Sequence, residues 1–234
     1  MKRMILWGLA FSLASTPALS RDRRESDGQG YANPSAVVAA EIAFARLAQE
    51  KGQWTAFRTT ATKDAVMFVP QMAYAQEFLK DKPDPAQAVK WQPHQVWSSC
   101  DGSLGITRGA WQRADGSSGY FTTVWQRQKK GDYKWVLDQG EDLPMPLDPP
   151  DMVVAKVADC PAGYRPGKAP RPKDFKGKLP ALDAVHRAGQ SLDGTLDWDV
   201  TVTPQGARRF VVTMQADGKR VTVQDLQVEA PPAA

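Results

Sequence analysis

Few residues in this chain have the type and spacing that chemistry demands. Its two histidines are His94, beside Pro93, and His186, in a polar stretch, so neither a metal-ligand spacing nor a nucleophile, base and orienter set can be assembled. No G-x-S-x-G elbow, phosphate-binding glycine loop or dinucleotide fingerprint is present, and the residues imply no metal and no cofactor. What remains are carboxyl and hydroxyl groups set among apolar residues. Asp138 follows Trp135-Val136-Leu137 and, by strict alternation, shares a strand face with Val136. Glu41 lies among the apolar positions of a helix, Asp64 opens a strand, and Tyr74 and Tyr120 supply hydroxyls. Each carboxylate has a structural reading beside a chemical one. Asp138 can bond to backbone at a strand's end, Glu41 to a neighbouring strand, and Asp64 can serve a turn.

The elements that must position these groups are organised around Trp91 to Gly140. This stretch reads as an antiparallel meander whose turns are written at Asp101-Gly102, Asp115-Gly116 and Gly131-Asp132. Between the turns lie Gln95 to Trp97, Leu104 to Trp111, Tyr120 to Gln126 and Tyr133 to Leu137. These segments carry the aromatic and β-branched residues that suit a pleated, half-buried surface. Trp97, Trp111, Trp125 and Trp135 fall one to a strand. Ahead of the meander, Asn33 caps a helix with Pro34 in its first turn, and Val37, Val38, Ile42, Phe44, Ala45 and Ala48 recur at helical spacing until Gly52. Trp54 and Phe57 mark a second helix through Thr60, Ala65 to Val69 a strand stopped by Pro70, and Met72, Ala75, Phe78 and Leu79 a third short helix. Helices followed by long antiparallel strands imply an α+β arrangement, with the helices on one face of a strongly curved sheet.

The segments "AEIAFARLAQEKGQWTAF", "KDAVMFVP" and "DGSLGITRGAW … GYFTTVWQRQKKGDYKWVLDQG", in this order, resemble the NTF2-like superfamily, in its DUF4440 or SnoaL-like branch. The resemblance covers residues 34–141 and implies a cone built from three N-terminal helices on a curved antiparallel sheet. It is specific for fold and not for function, because this scaffold hosts isomerases, cyclases, dehydratases and plain binding proteins. Where such proteins are enzymes, the resemblance implies proton shuttling by a carboxylate in an apolar cavity. Poor solvation raises its pKa there, and a nearby hydroxyl polarises the substrate. Asp138 or Glu41 would be the base and Tyr120 the donor. As a binding protein, the cone would enclose a small apolar or amphipathic ligand between Phe68, Tyr74, Trp111, Trp125 and the helices, although each tryptophan equally suits core packing. A structural role, with an open sheet face mediating a homodimer, is the third reading. The lack of a clear acid, base and donor set favours binding.

The remainder divides by composition. Residues 1–20 have the order of a cleavable secretory signal: Lys2 and Arg3, an apolar run from Met4 to Leu13, then small residues at Ala18 and Ser20. The run is too short for a stable membrane anchor, so the protein is expected in the periplasm or outside the cell. Without this segment the formal charge falls from +4 to +2, since it holds two of the 30 basic and none of the 26 acidic residues. The only dense basic cluster, Arg165 to Lys178, sits in a proline-rich connector, which argues against nucleic-acid binding. Residues 21–33 read as a disordered lead-in, 34–143 as the NTF2-like domain, 144–194 as a connector with a short strand near Met152 to Val157, and 195–234 as a β extension. In that extension Leu196, Trp198, Val200 and Val202, then Phe210, Val212 and Met214, alternate with polar residues. Three strands therefore have one covered face and must lean on the first domain or extend its sheet. Cys100 and Cys160 are a candidate disulfide, the alternative being two buried thiols.

Overall fold

Asn33 starts the first element as its residue type requires. Its side-chain oxygen accepts from the Ala36 amide at 3.0 Å, and Pro34 opens helix α1 (Pro34–Lys51). The computed structural model describes residues 31–165, 179, 181–182 and 185–230. The segment expected to be a signal, most of the expected lead-in, the basic cluster beyond Arg165 and the last four residues lie outside the described residues. Gly52 ends α1 at φ +105° and admits α2 (Gln53–Thr60) at once. A Cβ on Gly52 would sit 2.3 Å from the Asp84 carboxyl, which caps α2 from a distant loop by accepting from Thr55 N at 2.9 Å and Thr55 Oγ1 at 2.6 Å. The expected third helix is a single turn, α3 (Ala75–Phe78). Met72 instead belongs to strand β2 (Met72–Tyr74), paired antiparallel with β1 (Ala61–Phe68). Period-two burial of Met72 and Tyr74 outweighs the helical spacing that their sequence also permits.

The meander forms β3 (Lys90–Ser98), β4 (Leu104–Gln112), β5 (Ser118–Arg127) and β6 (Tyr133–Leu143), and β7 (Val154–Val157) follows in the connector. With β1 and β2 they make a large curved sheet in the order β2-β1-β6-β5-β4-β3-β7. The expectation of a purely antiparallel sheet is corrected at two pairs, β1 with β6 and β3 with β7, which run parallel. Both faces of this sheet are covered, which is why β5 shows almost unbroken burial rather than alternation. On one face Val37, Phe44 and Ala48 of α1 pack with Ala56 of α2 against Val96, Trp125 and Trp135.

The other face meets a second sheet. Its strands β8 (His186–Gln190), β9 (Leu196–Val202), β10 (Arg208–Ala216) and β11 (Lys219–Val228) are ordered β11-β10-β9-β8. It has four strands rather than the expected three. The extra strand is β8, whose sequence His-Arg-Ala-Gly-Gln has no apolar alternation because it lies at an edge. Leu196, Trp198, Val200, Phe210 and Val212 pack onto Ile106, Val124 and Leu137, so the extension leans on the first sheet.

Two like turns lock the sheets together. In Ser99-Cys-Asp-Gly-Ser103, Asp101 Oδ1 accepts from Ser99 Oγ, Ser103 N and Ser103 Oγ. In Ser191-Leu-Asp-Gly-Thr195, Asp193 Oδ1 accepts from Ser191 Oγ, Thr195 N and Thr195 Oγ1. The turns then dock reciprocally: Cys100 N donates to Thr195 Oγ1 at 3.0 Å, Leu192 N to Ser103 Oγ at 2.9 Å, and Asp101 N to Asp193 Oδ2 at 2.8 Å. Cys100 and Cys160 are disulfide-bonded beside this lock, with Cα atoms 5.1 Å apart. Closing a segment of 60 residues restricts the unfolded chain by about 4 kcal/mol in the loop-entropy model. A double Cys100→Ser, Cys160→Ser variant is expected to lose stability of that order in chemical denaturation. Equal midpoints for variant and wild type would show that the two docked turns suffice.

Candidate functional site

The side chains that roof and floor the helix-covered face leave a cavity of about 280 Å³. Phe44 of α1 and Gln53, Trp54 and Phe57 of α2 form its roof; Met67, Trp91, Trp111, Phe121 and Asp138 form its floor. Edge-to-face contacts hold the roof: Phe44 lies 4.8 Å from both Phe57 and Trp91, and Trp54 lies 5.5 Å from Phe57. Trp111 is fixed at the rim, with its indole N–H donating to Tyr120 O at 2.9 Å and the Arg113 guanidinium 4.1 Å above its ring. This indole fits because residue 119 is glycine, where a Cβ would stand 2.3 Å from the ring. Arg113 also pairs with Asp142 at 3.0 Å across the open end.

Asp138 owes its position to a β-bulge. The β5–β6 pairing runs Val124 with Leu137 and Trp125 with Trp135, so Val136 is the extra residue and the alternation of β6 flips there. Val136 and Leu137 both enter the core between the sheets, whereas Trp135 and Asp138 both face the helices. The assignment of Asp138 to the face of Val136 is thereby corrected. Its Oδ2 accepts from Thr123 Oγ1 at 2.8 Å, and no hydrogen bond from the described residues reaches Oδ1. Surrounded by protein and open only toward the cavity, its carboxyl is pushed up to about 8. Burial is the main cause, the charge of Glu41 adds to it, and the Thr123 bond opposes it.

Glu41 is fully buried behind this floor. Its Oε1 accepts from Trp91 Nε1 at 2.7 Å, and its Oε2 from Thr107 Oγ1 at 2.6 Å and Trp125 Nε1 at 2.9 Å. Burial raises its pKa while these donors oppose the rise. With both oxygens engaged and no accessible surface, it ties α1 to β3, β4 and β5.

The other anticipated residues scatter. Trp111 lines the cavity, while Trp125 is buried beneath it. Tyr120 points to the opposite face of the sheet, where the Arg108 guanidinium lies 5.3 Å from its ring, so no tyrosine hydroxyl stands beside Asp138. Phe68 lies under Arg208 at 4.6 Å, and Tyr74 lies in the core between the sheets, 5.7 Å from the Arg187 guanidinium. Asp64 pairs with Arg187 at 3.3 Å. Sequence reasoning missed Trp54, Phe57, Trp91, Phe121 and Thr123 as site residues. The period-two run Phe121, Thr123, Trp125 was the available signal for the two from β5.

Among the described residues no group of histidine, cysteine and acidic side chains could hold a metal, and no helix is long and apolar enough to cross a membrane. No protein-family model matches the chain, and no curated protein matches it in sequence. Solved structures similar to it include a protein from Novosphingobium aromaticivorans provisionally named an aromatic ring hydroxylase, with 18% identity over 49% of this chain and 91% of that one, TM-score 0.36. A protein from Parabacteroides distasonis provisionally named a ketosteroid isomerase shares 12% identity over 49% and 96% of the two chains, TM-score 0.39. The S. rosetta CaMKII hub shares 19% over 48% and 98%, TM-score 0.36.

If Glu41 anchors the helix, Glu41→Ala strands two buried donors and one half-buried one and is expected to destabilise the fold by about 3 kcal/mol or more in chemical denaturation. A change within about 0.5 kcal/mol, as at an ordinary surface position, would remove this role.

Proposed function

We propose that this chain is an exported NTF2-like protein whose cavity under α1 and α2 binds a small, largely apolar ligand carrying one hydrogen-bond acceptor. The observation that carries this reading is a single carboxyl group on the floor of an aromatic cavity, with one oxygen held by Thr123 and the other open. Titrating near 8, Asp138 is mostly neutral at pH 7 and can donate its proton to a carbonyl or ether oxygen of the ligand. Phe57, Trp91, Trp111 and Phe121 supply flat apolar surface for the rest of the molecule. The superfamily assignment is supported by the sequence resemblance and by helices lying on one face of a curved sheet. Export is supported by the leading segment and by the disulfide, a bond that persists in oxidising compartments.

A second reading, proton transfer at a carbon beside a carbonyl, draws on the same group. A carboxyl poised near neutrality can take up and return a proton. Two features favour binding over this chemistry: Glu41 is saturated, and Tyr120 lies on the far face, so no tyrosine hydroxyl is placed to polarise a bound carbonyl.

The readings separate by pH. Hydrogen-bond donation needs the protonated acid, so the affinity for an aromatic ketone, followed by quenching of tryptophan fluorescence, should be constant at pH 6–7 and fall as pH rises through about 8. Asp138→Ala should weaken binding by about tenfold and abolish that dependence. Proton abstraction needs the ionised form, so deuterium incorporation beside the ketone carbonyl would instead rise through the same pH. Unaltered fluorescence with a panel of apolar carbonyl compounds would contradict the binding reading.

A further inference from the structure

A second recess lies on the face of the large sheet opposite the helices, where residues 147–154 fold back over β3 and β4. It measures about 230 Å³ and is lined by His94, Gln95, Arg108, Gly109, Leu147, Asp148, Pro150 and Val154. Its inner wall is built by a bulge. Pro93 pairs with Gly109 and Gln95 with Arg108, leaving His94 as the extra residue of β3, beside Arg108.

Two features of this wall lack the partners that burial demands. The Arg108 guanidinium is half-buried and makes no ion pair or hydrogen bond with the described residues, its one neighbour of note being the face of Tyr120 at 5.3 Å. Glu141, on the same face, is committed to Arg208 at 2.5 Å. A desolvated cation without a direct ion pair is costly, and burial pulls its pKa below the ordinary arginine value. Beside it, His94 is 8% exposed and its Nε2 has no hydrogen-bond partner. Burial and the charge of Arg108 hold His94 below its usual range, so at neutral pH it is an uncharged ring with an unmet nitrogen.

We propose that this recess binds a small monocarboxylate. The planar guanidinium pairs with a carboxylate oxygen. Beside it the uncharged His94 ring, whose Nε2 is enclosed, closes the inner wall of the recess. Leu147, Pro150 and Val154 cover a short apolar tail. Asp148 decides against multiply charged anions, because its exposed carboxylate lines the same recess and would repel phosphate more than it repels a single charge. This site is separate from the cavity under the helices, since the sheet lies between them, and it does not depend on the function assigned to that cavity.

The test is calorimetric titration of the oxidised full chain with butyrate, benzoate and inorganic phosphate. Saturable binding of butyrate or benzoate is expected, with phosphate weaker than both. Arg108→Gln should weaken carboxylate binding at least tenfold, whereas Asp148→Asn, at an exposed position, should strengthen it severalfold. An aromatic ketone that occupies the helix-covered cavity should not displace butyrate. The proposal is overturned by the absence of saturable carboxylate binding, by a preference for phosphate, by displacement with the ketone, or by a folded Arg108→Gln protein that binds as well as wild type. Should that variant fail to fold, an unchanged affinity in Asp148→Asn overturns it equally.

Discussion

The arrangement depends on one buried carboxylate. Glu41 sits on the sheet-facing side of α1 and accepts from Trp91, Thr107 and Trp125, side chains of three adjacent strands. Apolar packing alone would let a helix slide or rotate on a sheet at little cost, but hydrogen bonds to a buried acid allow one position, because any other leaves charged or polar atoms unpaired. Phe44, three residues further on, is thereby set over Trp91 and Trp125, at 4.8 and 6.0 Å. That contact fixes the height of the roof, and the cavity is the space beneath it. The same carboxylate also reaches Asp138 electrostatically and helps to keep it protonated.

Covering the sheet on both faces gives this site a rigid floor. The second sheet buries Leu137 and Val124 from behind, so the strand that carries Asp138 is held from both sides and cannot relax toward solvent. Its attachment adds turn chemistry to this apolar packing. Two Asp-Gly turns of like sequence satisfy their own backbone groups and then exchange hydrogen bonds with each other, next to the disulfide. Arg208 adds a polar tie at the other end, donating to Gln139 Oε1 at 2.9 Å and Gly140 O at 3.0 Å.

How much of this could be read in advance varied with the physical signal. The Asp-Gly and Gly-Asp turns fixed the four meander strands, because a tight turn leaves few choices of pairing. The alternation of Leu196, Trp198, Val200 and Val202 announced a covered face. The strand β8 escaped notice because an edge strand needs no apolar period, and residues 147–154 read as a connector although they supply a wall of the second recess, while the short strand expected near Met152 to Val157 is β7. The placement of Asp138 is the instructive case. Alternation put it on the face of Val136, yet one extra residue in β6 turned it to the helix side, and a bulge of that kind leaves little trace in hydrophobic pattern. Tyr120, Phe68 and Tyr74 were expected around the cavity on type alone. Each instead serves the opposite face, because a sheet covered on both sides needs aromatic residues on both.

The proposed binding depends on a carboxyl group at the base of the aromatic cavity that is held neutral near physiological pH. Carbon-13 NMR titration of the aspartate side-chain carboxyls tests it most directly, with the Asp138 resonance identified by its loss in Asp138→Asn. A midpoint near 8 is expected for that resonance. A midpoint near 4, where exposed aspartates titrate, would contradict it, and the cavity would then hold an ordinary carboxylate with no poised proton.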